Sequence, residues 1–260
     1  MIGLGLVGGG ASSAASILKS STPASGNSYS ILMDGTNDYL SQPDGDNIFD
    51  TLATGSWTLS FYVKFINSTN QTVFWKGTYP SEYLWIACSA GGDMQIVGST
   101  GTTTTVVNTV FNSNLDSNTW YHVAFVSDGS GTNRSTICYI NGSVVSTNSE
   151  SIIASSTNLE SHTGATLLTT SNLAGLVYYN QALDHIATWN AVLDADNIAA
   201  IYNDKPVLVA SSGDYTSHAR LQKWLKMEEG TGTTTVDDAG NSFASMTLVN
   251  GAAWSTNKPW

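Results

Sequence analysis

The run Trp57-Thr58-Leu59-Ser60-Phe61-Tyr62-Val63-Lys64-Phe65 decides the fold class. Trp57, Leu59, Phe61, Val63 and Phe65 occupy alternate positions, with Thr58, Ser60, Tyr62 and Lys64 between them. Period two is the spacing of a β-strand, whose successive side chains point to opposite faces. The pattern predicts a half-buried strand. Working outward, Val73 and Trp75 repeat the alternation, as do Tyr83, Trp85 and Ala87, and Trp120 to Val126 forms another such run. Ile137 to Ile140 and Val144-Val145 flank Asn141-Gly142. That dipeptide is a hairpin signal, because both turn positions require φ > 0. One segment reads as helix: Asp194 caps Ala195 to Tyr202, with Ile198, Ile201 and Tyr202 at helical spacing, and Pro206 forbids extension past Lys205. Clusters such as Asp128-Gly129-Ser130-Gly131 separate the strands. Many short strands with turn signals and one short helix predict an all-β, antiparallel two-sheet sandwich.

Composition bounds what such a sandwich could do. The chain has 260 residues, 11% of them charged and 41% hydrophobic, and its net charge is −11. Mean hydropathy is −0.05. A chain of this length and apolarity buries a sizeable core, and all-β domains of about 200–250 residues are common. Nine Lys and Arg, scattered from Lys19 to Lys258, exclude nucleic acid and an acidic membrane surface as expected partners. No apolar stretch approaches the ~20 residues of a membrane span. Cys88 and Cys138 lie in apolar, strand-like runs. Two buried free thiols are expected there, with a bridge as the alternative.

Residues 1–27 form a Gly/Ser/Ala-rich N-terminal arm that opens MIGLGLVGGG. Its one cation, Lys19, follows the apolar part, which is the wrong order for a secretory signal. Two readings stand. The arm is a frayed terminus, or Ile2, Leu4, Leu6 and Val7 are an assembly arm that buries its apolar side chains against another chain.

Four stretches, in order, resemble the laminin-G-like branch of the concanavalin A-like lectin/glucanase superfamily. They are Ile31-Leu32-Met33-Asp34-Gly35-Thr36-Asn37-Asp38-Tyr39-Leu40; Gly55 through Lys64; Thr119-Trp120-Tyr121-His122-Val123-Ala124 with Ile140-Asn141-Gly142; and Leu183-Asp184-His185-Ile186 with Asn197 through Asn203. The resemblance implies a jelly roll. The stretch Trp224 through Gly232, with Asp237, Gly240-Asn241, Leu248 and Trp254, resembles the hairpin that usually opens this fold, here placed last. Residues 28–260 are therefore expected to form one jelly roll, with a C-terminal hairpin over 221–260 completing it in permuted order. A self-contained C-terminal assembly hairpin is the alternative. The Gly-Leu-rich opening resembles the starts of virion structural proteins of marine tailed phages.

The superfamily contains glucanases, so catalysis has to be weighed. Retaining hydrolysis uses two carboxylates about 5–5.5 Å apart, which on a strand means acids at alternate positions. Glu82, Glu150, Glu160 and the adjacent Glu228-Glu229 offer none, and Asp44 and Asp46 flank Gly45 in a turn-like setting. His122, His162, His185 and His218 lack the i, i+4 helical spacing of a zinc site, and there is no G-x-S-x-G elbow or P-loop. The expectation is no catalytic residue. Calcium is implied by the resemblance, at Asp34, Asp184, Asp237 and Asn241, though His185 stands where the family usually has an acid. The competing reading is that Asp34-Gly35 and Gly240-Asn241 only shape turns. Trp75, Trp85, Trp189, Tyr178 and Tyr179 could stack on sugar rings or fill the core. Asn67, Asn70, Asn133 and Asn141 begin N-x-Ser/Thr sequons, as chance allows in such a sequence.

The resemblances imply a non-enzymatic virion surface protein of head-decoration or fibre type, anchored by its arm and presenting a lectin-like jelly roll to host glycans. Its expected partners are other capsid or tail proteins and further copies of itself, a trimer being one such symmetric state. A free carbohydrate-binding lectin module is the second reading, and a divergent glycan hydrolase the third.

Overall fold

The Trp57–Phe65 run is the centre of the first of two facing sheets. The structure is a computed structural model and describes residues 26–43, 55–78, 82–100, 105–129, 135–152, 166–168, 170–171, 177–241 and 244–260. The assembly-arm residues Ile2, Leu4, Leu6 and Val7 lie outside the described residues, as do Asp44, Asp46, Glu160 and His162.

In spatial order the first sheet comprises β10 (Ser143–Val145), β9 (Ser135–Ile140), β8 (Trp120–Asp128), β3 (Trp57–Phe65), β15 (Asn180–Trp189), β1 (Ser30–Asp34) and β18 (Ala253–Ser255). The long β15 has a second partner on the same side: its first half pairs β1 and its second half pairs β16 (Leu221–Leu225). The second sheet runs β11 (Thr147–Ile152), β7 (Thr105–Phe111), β6 (Met94–Thr100), β5 (Glu82–Cys88), β4 (Gln71–Thr78), β12 (Thr166–Leu168), β2 (Tyr39–Gln42) and β17 (Thr247–Val249). A small ribbon pairs β13 (Thr170–Ser171) with β14 (Val177–Tyr178). All pairings are antiparallel. The stretch after Arg220 thus supplies strands to both sheets, β16 and β18 to one and β17 to the other.

Between the sheets lies a core that includes Leu59, Phe61, Val63, Phe74, Ile86, Ile96, Phe125 and Leu183. Phe61 meets Phe74 of the opposite sheet edge-on, ring centroids 5.0 Å apart. Both cysteines are free thiols in this core, and burial pushes the Cys88 thiol up to about 12.

Two expectations need correction. β3 is buried on both faces, because a second apolar layer covers the outside of its sheet. That layer is built from helix α1 (Ala195–Asp204) and the loop after it, with Ile198, Ile201, Leu208 and Tyr215 packed on Ala124, Ala187, Trp189 and Trp224. Trp189 is fully buried there, its indole N–H donating to the Tyr215 hydroxyl at 3.0 Å, so it is no sugar platform. Second, Val73 and Trp75 do not share a face. A β-bulge at Val73 shifts the register, so Val73 and Phe74 both enter the core and Trp75 turns outward.

The helix forms as its sequence predicts. Asp194 Oδ1 accepts the Asn197 backbone N–H at 2.8 Å, and Lys205 ends the helix in the left-handed region at φ 46°. The Asn141-Gly142 turn has φ of 51° and 77°, as the hairpin between β9 and β10 requires.

Candidate functional site

The outer face of the second sheet is the main candidate. Register places Trp75 opposite Trp85, Trp85 opposite Val97, and Val97 opposite Asn108, so these residues form one row across four strands. Residues directly opposite in a ladder share a face. Tyr83 stands two residues from Trp85 on that face and stacks flat on Trp75, with centroids 5.2 Å apart and planes 5° from parallel. Trp75 is fully covered, whereas Tyr83 and Trp85 remain partly exposed. The Trp85 indole is fixed by donating to Thr72 Oγ1 at 2.8 Å. Beside it, Gln95 Nε2 donates to Asn108 Oδ1 at 2.8 Å, and both side chains are partly exposed. The result is a rigid aromatic surface edged by two oriented amides. Such a surface can stack on the C–H face of a sugar ring and hydrogen-bond its hydroxyls. Of the aromatic residues singled out in the sequence, Trp75 and Trp85 are brought together here. Tyr178 contacts Tyr39 instead, at 6.1 Å between ring centroids. Tyr179 lies partly buried beside it in sequence, between β14 and β15. Tyr83, Gln95 and Asn108 were not singled out from sequence. Their signal was the same alternation that fixes their strands, but polar residues at alternate positions look like any solvated face.

A second cluster lies on the outside of the first sheet. Asp184 Oδ2 accepts from Asn27 Nδ2 at 2.6 Å, and Asp184 Oδ1 meets His185 Nδ1 at 2.9 Å. His185 sits at a bulge in β15 with φ 46°, a left-handed conformation that a side-chain-bearing residue adopts only where its surroundings hold it. Glu228 approaches from the C-terminal stretch, and its carboxylate accepts the Ser28 and Tyr29 backbone N–H groups at 2.7 and 3.3 Å. Burial raises the Asp184 pKa, opposed by the His185 and Asn27 contacts, and the Glu228 charge raises it further. Trp260 packs over the cluster, 4.8 Å from the His185 ring and 4.7 Å from Tyr62.

Among the described residues, Asp184, His185 and Glu228 are the one group of His, Cys and carboxylate side chains able to share a metal ion, with ligand atoms within 4.8 Å of one another. Of the four calcium positions named from sequence, only Asp184 belongs to it. Asp34 Oδ1 accepts the Thr36 N–H at 2.7 Å, and Asp237 Oδ1 accepts from Trp224 and Ala239 at 2.9 and 3.0 Å. Asn241 donates its amide to the Leu221 and Gln222 carbonyls at 3.2 and 2.8 Å. Asp34 thus shapes its own turn, whereas Asp237 and Asn241 tie the C-terminal stretch back to β16. Sequence offers Glu228 only as one of two adjacent acids, because nothing there joins it to residue 184. One observation bears on whether a cation fits: Asn27 Oδ1 is buried beside the carboxylates without a hydrogen-bond partner. With Asp184 and Glu228 it would supply three oxygen ligands to a hard cation.

The Asp184–Glu228 pair also bears on hydrolysis. Asp184 is fully buried and its oxygens are held by Asn27 and His185. Asp184 is therefore engaged inside packed structure, while Glu228 stays partly exposed beside it. The remaining described histidines are structural in their contacts: His122 Nε2 lies 2.8 Å from Ser60 Oγ, and His218 Nδ1 lies 2.8 Å from Ser211 Oγ.

A two-layer antiparallel jelly roll with a partly exposed aromatic-and-amide sheet face defines a lectin-like class of fold. The chain belongs to the Laminin_G_3 family of the concanavalin A-like lectin/glucanases superfamily, which matches residues 34–199, more than half of its length. No protein of curated function matches it by sequence. Among solved structures it is similar to a candidate carbohydrate-binding protein of Bacteroides ovatus, at 17% identity and a TM-score of 0.58, covering 87% of this chain and 59% of that one. It is also similar to the heptameric SAP-like pentraxin of Limulus polyphemus, at 14% identity and TM-score 0.51, covering 87% and 96% of the two chains. A third is the Ruminococcus gnavus sialidase CBM40 bound to α2,3-sialyllactose, at 14% identity and TM-score 0.50, covering 67% and 96%. At these identities the likeness is one of fold.

Proposed function

We propose that this chain is a non-enzymatic glycan-binding module whose binding face is the outside of the second sheet. The carrying observation is the partly exposed Trp85–Tyr83 surface, backed by buried Trp75 and edged by Gln95 and Asn108. Trp85 stacks on a pyranose ring, and the two amides select hydroxyl orientation. The fold's likeness to carbohydrate-binding modules supports this reading without fixing the sugar. A cation at Asp184, Glu228 and Asn27 is part of the proposal. It would neutralise two close carboxylates and tie the N-terminal edge at Asn27 to the C-terminal stretch. The proposed setting is a virion surface, where the N-terminal arm would anchor a homo-oligomer to capsid or tail proteins and the jelly roll would face host glycans. The Gly-Leu-rich opening supports that setting. Mass spectrometry of purified virions, with antibody labelling in the microscope, tests it.

The binding test is a glycan array followed by titration calorimetry of the intact chain and W85A. Retained ligands should bind at ~mM Kd or better, and W85A should weaken them by on the order of tenfold or more, the scale of one lost stacking contact. Release of reducing ends from the bound glycan would instead make the module an enzyme. Equal binding by W85A would move the site elsewhere.

A further inference from the structure

We infer that a groove on the outside of the first sheet is a second binding site, selective for a sugar residue that carries a carboxylate. The groove encloses about 360 Å³, the scale of small-ligand sites. Its floor follows from the ladder: Lys64 stands opposite Ala182, and Ala182 opposite Leu32. Helix α1 covers the other end of this face, so the floor stays open where Asn118, Asn180 and Asn257 form the rim.

Lys64 carries the argument. It is 7% exposed and lines the groove, yet its ammonium makes no hydrogen bond or ion pair among the described residues. The stem is packed into the floor while the ammonium itself reaches the groove's solvent, so this lysine presents an unengaged cation to an anion supplied from outside. Asp34 shares the groove but is engaged with its own turn, through the Thr36 N–H at 2.7 Å. Asn257 is fixed at the rim by accepting the Trp120 indole N–H at 3.0 Å. A cation at the bottom, an apolar strip from Leu32 and Ala182, and amides at the rim match an acidic sugar: carboxylate, C–H face and hydroxyls in turn. A free anion lacks the last two, and a neutral sugar lacks the first. The net charge of −11 provides no long-range attraction for an anion, so selectivity must come from contact with Lys64. This site lies on the opposite sheet from the proposed glycan face and does not depend on it.

The test titrates the intact chain, by NMR of its indole resonances, with methyl β-glucuronide, methyl α-N-acetylneuraminide and neutral methyl β-glucoside. At least one acid should bind at least tenfold more tightly than the glucoside, shifting Trp120 and leaving Trp85 in place. The two acids tell a uronic from a nine-carbon acidic sugar. K64Q should abolish the preference for acid, a loss on the order of ten- to a hundredfold for one charge-assisted bond. N180A should weaken acid binding while retaining the preference. No preference for either acid in the native chain overturns the proposal, as does a folded K64Q that keeps it. Should K64Q fail to fold, unchanged acid binding by N180A overturns it. Shifts confined to Trp85 also overturn it, while leaving the sheet-face reading intact.

Discussion

His122 carries a pH signature set by its position alone. It is fully buried on β8, bonded to Ser60 and stacked 5.8 Å from Tyr202. Burial, with a smaller push from the Lys205 charge, lowers its pKa to about 3. The unfolded value is near ~6.5. A depressed folded pKa means that the stabilising neutral form is fully present above the unfolded value and is lost as pH falls from there toward 3. Each pH unit in that window costs about 1.4 kcal/mol for one proton. Asp184 works in the opposite sense: burial raises its pKa, so its contribution is present at low pH and lost as pH rises through the raised value. Comparing variant with native protein therefore isolates the histidine. In urea unfolding at pH 7, 5 and 4, H122Q should lose less stability on acidification than the native chain. Parallel curves would show that His122 is not held neutral.

At the scale of elements, the helix cap is the sharpest test. Asp194 accepts from the Asn197 backbone and from its side-chain amide at 2.8 and 2.7 Å, which holds the Asp194 carboxyl below its usual range. Asn197 Oδ1 in turn accepts the Thr216 and Ser217 N–H groups at 2.9 and 3.2 Å. The cap thus secures both α1 and the loop that packs beside it. D194A should cost ~1 kcal/mol of stability, with 2 as the upper end, read as a lower urea midpoint. An unchanged midpoint would mean that the cap contributes nothing. This cap and the Asn141-Gly142 hairpin were legible in sequence because their chemistry is local. The Val73 bulge was not. The extra residue that lets both Val73 and Phe74 enter the core, where Phe74 meets Phe61, is set by register with the neighbouring strand and not by local chemistry. The burial of Thr58, Ser60 and Tyr62 was equally invisible, since the layer over them comes from residues more than a hundred positions later. The same distance in sequence hid the candidate sites. Trp85, Gln95 and Asn108 lie on three strands, and Glu228 reaches Asp184 only after the chain has returned to the first sheet.

For the whole molecule, the C-terminal stretch closes the structure. β16 and β18 flank β15 and β1, β17 extends the second sheet, and Asn257 accepts from Ser30 Oγ at 2.7 Å. The Asp184 cluster lies where these ends meet. If a cation binds there, chelation should lower Tm by about 5 °C for a chain of this size. Calcium should restore it, and D184N should abolish the response. An unchanged Tm on chelation removes the cation from the account, without touching the sheet face.

The most direct test of the central claim is a map of where a bound glycan touches the protein. Cross-saturation NMR with the best array ligand should mark Trp85, Tyr83, Gln95 and Asn108 on the outside of the second sheet, with the glycan recovered intact. A ligand mapped to Asp184 and Glu228, or recovered in cleaved form, would contradict it.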